Sequence, residues 1–138
     1  MLKPEDELPI PEQTKEVAKA AFPKGNLYMR MREEIGSVFE DEEFADLYPE
    51  KGQPTENPWR LALITIFQYV EGMTDRQTAE AVRGRIDWKY ALGLELTDAG
   101  FDFSVLSEFR QRLVEGGKEQ LLFERLLKQY QESGFLNW

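Results

Sequence analysis

The stretch that decides the fold runs from Pro58 to Leu94 and reads PWRLALITIFQYVEGMTDRQTAEAVRGRIDWKYALGL. Its first part is apolar around most of a helical circumference, because between residues 59 and 70 the polar side chains are only Arg60, Thr65 and Gln68. A helix of this kind has to be enclosed by other helices. The sequence therefore predicts that residues 59–70 form the centre of the core.

Local signals mark where this helix ends and where the next one begins. Pro58 suits the first turn of the helix, where its missing N–H costs nothing. Gly72 follows the apolar stretch, at a position where a left-handed residue ends a helix. Thr74 and Gln77 have the spacing of a capping box, in which each side chain bonds the backbone N–H of the other residue. These signals predict a helix, a tight turn and a second helix, the arrangement of a helix-turn-helix-like pair.

The second helix is predicted to have one packed face and one exposed face. Ala79, Val82 and Ile86 fall together on the packed face. The opposite face carries Arg76, Gln77, Glu80 and Arg83.

The composition excludes several classes of site. The chain has 138 residues, which suits one domain, and it contains neither Cys nor His. A disulfide framework, an ordinary zinc site, a Cys nucleophile and a His-based triad are therefore excluded. The longest apolar run is too short and too interrupted to span a bilayer, so we expect a cytoplasmic protein with no membrane partner.

The charge is unevenly distributed. The net charge of −9 argues against binding to nucleic acid, but residues 1–58 carry seven Lys and Arg against fourteen Asp and Glu. Between residues 76 and 90 the balance of charge reverses, because this stretch contains four basic and two acidic side chains. The sequence thus predicts a weak basic patch on an acidic protein.

The remainder of the chain also predicts helices. Residues 1–23 hold four of the seven prolines and indicate an extended or mobile arm, followed by a helical domain over residues 24–138. Within that domain, Asn26 is expected to cap a helix ending near Phe39, and further helices are expected over residues 105–115 and 118–133. No segment alternates as a strand would, so the fold class is all-α, a compact multi-helix domain.

Two features allow either a structural or a functional interpretation. The carboxylate run Glu40–Glu43 could hold Mg²⁺, but consecutive helical side chains point in different directions, which favours a solvated helix end. Trp88 and Tyr90 flank Lys89 and could stack on nucleobases, although such aromatics more often brace neighbouring helices. For Trp88 we favour packing.

The residues from Glu50 to Leu113, including GQPTENPWRLALITIFQYVEGMTDRQTAEAVRG and GFDFSVLSEFRQRL, resemble the N-terminal domain of bacterial insertion-sequence transposases of the InsH type. The resemblance extends over nearly the whole chain and is least diagnostic in the initial arm. In that family the helical domain precedes a DDE catalytic domain and is thought to help bind the terminal inverted repeats of the element. The resemblance therefore implies double-stranded DNA as the partner.

The resemblance implies no catalytic residue in this chain. In relatives the first catalytic Asp follows the segment that matches residues 132–136, and DDE chemistry needs three carboxylates around two Mg²⁺ ions. We therefore expect no nuclease or strand-transfer activity from this polypeptide alone, and no metal or other cofactor.

If the pair binds a duplex as helix-turn-helix proteins do, the start of its second helix approaches the base edges. Arg76 would then pair with guanine and Gln77 with adenine. The remaining candidates would contact phosphates and add affinity without sequence information, and they are Arg60, Arg83, Arg85, Lys89, Arg110 and Arg112.

Other interpretations remain open. Helix pairs with such turns occur in many domains that never touch DNA, where surface arginines pair with nearby carboxylates such as Glu80. The domain could instead form a homodimer, or dock on a full-length transposase and inhibit it, through the apolar helices 59–70 and 118–133. A fragment without a selected function is a third alternative.

Overall fold

The computed structural model describes residues 9–35, 58–121 and 124 of the chain. These ranges contain helices and connecting turns and no strand, so the predicted all-α class is confirmed for them. The helices are α1 (Glu12–Ala21), α2 (Leu27–Ile35), α3 (Pro58–Glu71), α4 (Asp75–Gly84), α5 (Ile86–Leu92) and α6 (Ser104–Glu115). None of the described helices is long and apolar enough to cross a membrane.

Helix α3 lies at the centre of the core, as its composition predicts. Every residue from Leu61 to Phe67 is buried. The Phe67 ring packs 5.3 Å from Trp88 of α5 and 4.7 Å from Tyr28 of α2, measured between ring centroids. Trp88 is fully buried, so the structure confirms that this side chain packs inside the domain.

The connection between α3 and α4 has the geometry that its sequence predicts. Gly72 adopts a left-handed φ of 65°, and the turn takes only residues 72–74. The capping box forms, because the Gln77 N–H donates to Thr74 Oγ1 at 3.1 Å and the Thr74 N–H donates to Gln77 Oε1 at 2.9 Å. The start of α4 is therefore fixed by its own side chains.

The packed face of α4 differs from the expected one. Thr78, Ala81 and Val82 are buried, whereas Ala79 is only partly buried. The expectation for Ile86 was wrong because Arg85 is extended and separates α4 from α5, so that Ile86 begins the next helix.

Part of the segment expected to be an arm is a packed helix. Within residues 1–23, α1 packs on α5, with Ala18 buried and Thr14 Oγ1 donating to the carbonyl oxygen of Leu94 at 2.7 Å. The expectation of an extended or mobile arm was therefore wrong for residues 12–21. Its prolines lie before and after the helix, where they do not interrupt the backbone hydrogen bonds. The boundary between arm and domain stays a prediction.

Some of the remaining helix predictions concern residues that the structure describes, and others do not. The Asn26 cap is confirmed, because Asn26 Oδ1 accepts from the Met29 N–H at 3.1 Å. The helix expected over residues 105–115 is confirmed as α6, in which Leu106, Phe109 and Leu113 are buried. Three predictions lie wholly or mostly outside the described residues, and they concern the helix end near Phe39, the carboxylates Glu40–Glu43 and the helix over residues 118–133.

Candidate functional site

The outward face of α4 carries the exposed polar side chains that the sequence places there. Arg76 and Gln77 lie in the first turn and are exposed. Arg83 and Glu80 follow on the same face, with side chains that are 60% and 73% exposed. Their charged groups are 3.8 Å apart, and a pair this exposed contributes little to stability. Arg76 and Arg83 are two turns apart, about 10 Å along the helix axis.

A chain segment that sequence reasoning missed runs beside this face. Residues 99–103 and one side of α4 together line an open groove. Gly100, with a φ of +74°, lies so close to α4 that a Cβ atom there would be 3.8 Å from the backbone nitrogen of Arg83. Arg83 Nε donates to the Ala99 carbonyl oxygen at 3.2 Å, and the Arg76 Cζ lies 4.5 Å from the centre of the Phe103 ring. The segment therefore orients both arginines.

The cap limits how Gln77 can contact DNA. A bidentate contact to adenine uses the oxygen and the nitrogen of the side-chain amide. In this structure the Gln77 Oε1 already accepts from the Thr74 N–H. In the expected bidentate contact this oxygen would accept a second hydrogen bond, from adenine, on its other lone pair, so the capping box restricts the direction from which the base can approach.

Arg85, expected to contact phosphate, is held inside the domain. Its guanidinium donates to Glu71 Oε2 at 2.6 Å and to Asp87 Oδ2 at 2.7 Å. The same group lies 5.3 Å from the centre of the Tyr28 ring and 5.0 Å from that of Trp88. Burial acts to lower the pKa of Arg85, but the hydrogen bonds to the two carboxylates raise it overall, so the charge is maintained.

The carboxylates around Arg85 are tied to other helices. Asn26 Nδ2 donates to Asp87 Oδ2 at 2.9 Å, and the Tyr28 hydroxyl donates to Glu71. Burial, together with the Glu71 carboxylate, raises the pKa of Tyr28. This polar cluster of Asn26, Tyr28, Glu71, Arg85 and Asp87 joins α2, α3 and α5. Arg85 therefore takes part in a structural network, and its expected phosphate contact stays a prediction.

Lys89 and Arg60 are also used inside the domain. Lys89 is 3% exposed, its Nζ donates to the Asp98 carbonyl oxygen at 2.7 Å, and burial lowers its pKa. Arg60 Nε donates to the Leu92 carbonyl oxygen at 2.8 Å, at the carboxyl end of α5, where a positive charge is favourable. Lys89 is almost completely buried and has little surface for a phosphate contact, and the expected phosphate contacts of both side chains stay predictions.

The two candidates on α6 bind carboxylates. Arg110 makes a bidentate ion pair with Asp75, with nitrogen to oxygen distances of 2.6 and 2.8 Å. Arg112 pairs with Glu108 one turn earlier at 3.0 Å. Arg110 thereby joins α6 to the first turn of α4. Of the side chains expected to contact DNA, the structure brings Arg76, Gln77 and Arg83 together on one exposed face, whereas the others are buried or only partly exposed.

The Asp75–Arg110 pair predicts a pH-dependent contribution to stability. The hydrogen bonds from Arg110 are the main reason that the pKa of Asp75 lies below its usual value. Because the pKa is lower in the folded state, the stabilisation is present above the unfolded pKa of about 3.9 and is lost as pH falls through the folded value. At pH 6, Asp75→Asn should lower the free energy of unfolding by about 1 kcal/mol, after allowance for solvent screening.

Chemical denaturation of wild type and Asp75→Asn across pH 2.5–6 would measure this difference directly. The two curves should converge at the acidic end, because both proteins then carry a neutral group at position 75. A matched Glu108→Gln exchange changes an exposed i, i+4 pair and should have a smaller effect at every pH. A difference for Asp75→Asn that stays constant down to pH 2.5 would contradict the assignment.

The association surfaces expected from the sequence are reduced in the structure. Residues 61–67 of α3 are buried in the domain, and among the described side chains of this helix Tyr69 and Val70 are the exposed large apolar ones. The other helix expected at an interface, over residues 118–133, lies mostly outside the described residues. Because the domain itself covers residues 61–67, this part of the helix offers little apolar surface to a partner, and the expected interface stays a prediction. Within the described residues no group of three or more acidic side chains is placed to hold a metal ion.

Comparison with known proteins gives one finding. The family model described as Transposase domain (DUF772) matches residues 16–112, which is more than half of the chain. The match includes the second half of α1, all of α2 to α5, the 99–103 segment and most of α6. No curated protein and no solved structure matches the chain.

Proposed function

Because this chain belongs to the transposase domain family, we propose that it recognises the terminal inverted repeats of an insertion sequence as duplex DNA, through the outward face of α4. In this proposal the domain supplies recognition, and no residue of the chain has a catalytic role. The observation that carries the proposal is the exposure of Arg76 and Arg83 on one face of a capped helix, whereas the other candidate basic side chains are buried or only partly exposed.

The position of Arg76 supports contact with bases. In a helix-turn-helix protein the first residues of the second helix lie nearest to the base edges in the major groove. Arg76 is the second residue of α4, and α4 follows α3 after a three-residue turn. An arginine there can bond the O6 and N7 atoms of guanine, the commonest specific contact in the major groove.

The charge distribution predicts weak dependence on salt. The logarithm of the binding constant falls with the logarithm of salt concentration with a slope of about −0.9 for each phosphate neutralised. The outward face of α4 carries two basic side chains, Arg76 and Arg83, and the protein carries a net charge of −9. We therefore expect a slope of only about −1 to −2, so that sequence preference depends mainly on base contacts.

Selection from a pool of random duplexes, followed by gel-shift titration of the enriched sequence, would test this proposal. The full chain should enrich one motif and bind it at least tenfold more tightly than random duplex at matched salt. Titration at several salt concentrations would give the slope. Enrichment of no motif, with equal affinity for all duplexes, would refute the proposal, and sedimentation of the same samples would show whether the protein associates with itself instead.

A further inference from the structure

The groove beside α4 contains an exposed aromatic side chain, the Phe103 ring that lies against Arg76. Phe103 precedes α6 and is 36% exposed. By contrast, Phe67, Trp88 and Phe109 are all at most 1% exposed and fill the core. Phe103 thus presents apolar surface to the groove next to Arg76, the residue assigned to base contact.

We propose that Phe103 is a specificity-determining residue that contacts the 5-methyl group of a thymine next to the base pair read by Arg76. The inference rests on the proposed function and adds a second readout element to the same site. Among the groups that base pairs present in the major groove, the thymine methyl is the apolar one, and phenylalanine is among the side chains that contact it.

The distance between the two side chains fits two neighbouring positions of a duplex. The Arg76 Cζ lies 4.5 Å from the centre of the Phe103 ring. Successive nucleotides along one strand rise by about 3.4 Å. When Arg76 bonds a guanine, Phe103 therefore lies at the level of an adjacent base and not at that of a distant one.

Phe103 is also held in place before any partner binds. Asp102 Oδ2 accepts hydrogen bonds from the Ser104 N–H at 3.0 Å and from the Ser104 hydroxyl at 2.5 Å, which closes a tight turn around Phe103. On the other side, Gly100 packs against α4 with Val82 Cγ1 3.6 Å from the position of an added Cβ. A side chain placed in this way needs little ordering when it binds, which favours a specific contact.

Uracil substitution gives a direct test, because it removes only the methyl group of a thymine. Each thymine of the duplex selected by the wild-type chain is replaced in turn by uracil, and the affinity is measured for wild type and for Phe103→Ala. We expect one position at which uracil weakens wild-type binding about fourfold, from the transfer free energy of one buried carbon group. Phe103→Ala should bind the thymine and uracil duplexes equally at that position.

Two variants separate contact from positioning. Phe103→Leu keeps an apolar side chain but loses the aromatic ring under Arg76, so it should retain sensitivity to the methyl group. Val114→Ala removes an apolar side chain that is 63% exposed on α6 and should behave as wild type. Thermal unfolding of each variant establishes that the domain is folded.

Other results would overturn the inference. If uracil has no effect on the wild-type chain, or the same effect on Phe103→Ala, then Phe103 does not contact a thymine methyl. If Phe103→Ala lowers affinity but wild type ignores the methyl group, Phe103 acts only by positioning Arg76. Failure of the wild-type chain to select any duplex refutes the proposed function itself and is distinguishable from these results.

Discussion

We expect Arg85→Ala to lower the free energy of unfolding by about 3 kcal/mol, the cost of leaving a buried carboxylate without its charged partner. Asp87, whose side chain is only 4% exposed, would keep its negative charge without the guanidinium that compensates it. Glu71 would lose the same partner, and the rings of Tyr28 and Trp88 would lose a packed cation. For a domain of this size the midpoint of thermal unfolding should fall by roughly 10 °C.

The chain contains a matched control two residues earlier. Arg83→Ala removes the same charge from a side chain that is 60% exposed and should change stability by less than about 0.5 kcal/mol. A second comparison separates charge from packing. Arg85→Met fills similar volume but leaves Asp87 unpaired, so it should be as unstable as Arg85→Ala, whereas Arg85→Met combined with Asp87→Asn should recover part of the loss. Equal stability of Arg83→Ala and Arg85→Ala would contradict the structural role of Arg85.

The sequence predictions that were confirmed around α4 concern local structure. The capping box of Thr74 and Gln77 and the left-handed turn at Gly72 depend on residues within a few positions of each other, so the local sequence was sufficient to predict them. The enclosed character of α3 follows from its composition alone. The sequence was therefore sufficient to predict where α4 begins and that Arg76, Gln77, Glu80 and Arg83 share an exposed face.

The roles of the basic residues depend on contacts between distant parts of the chain. Arg60 reaches the end of α5 at a separation of 32 residues, and Arg110 reaches Asp75 at a separation of 35. Charge and helical spacing do not reveal such partners, so side chains that appear equivalent in the sequence divide into structural and exposed groups. Phe103 was missed for the related reason that the pattern of α6 did not show on which helix the preceding segment would pack.

Arg76→Ala should have the largest effect on recognition among single substitutions on the α4 face. If Arg76 makes a bidentate contact to guanine, its removal should reduce discrimination at that base pair by about tenfold or more, since such contacts contribute about 1–3 kcal/mol. Arg83→Ala should change the overall affinity and not the discrimination between bases. It should weaken binding to all duplexes by a similar factor and make the salt slope shallower by about 1, as expected for a lost phosphate contact. Competition gel shifts with the selected duplex and with duplexes altered at each base pair would measure both effects.

Arg30→Ala is the control for these variants, because it removes the same charge from an exposed position on α2. It should leave discrimination at every base pair unchanged. The two arginines of α4 are held by different parts of one segment, Arg76 by the Phe103 ring and Arg83 by the Ala99 carbonyl oxygen. If Arg76→Ala loses base discrimination and Arg83→Ala loses affinity for all duplexes, this segment presents the two side chains to different parts of a duplex. If Arg76→Ala preserves every base preference of the wild-type chain, recognition occurs on another surface, and α4 serves only to complete the fold.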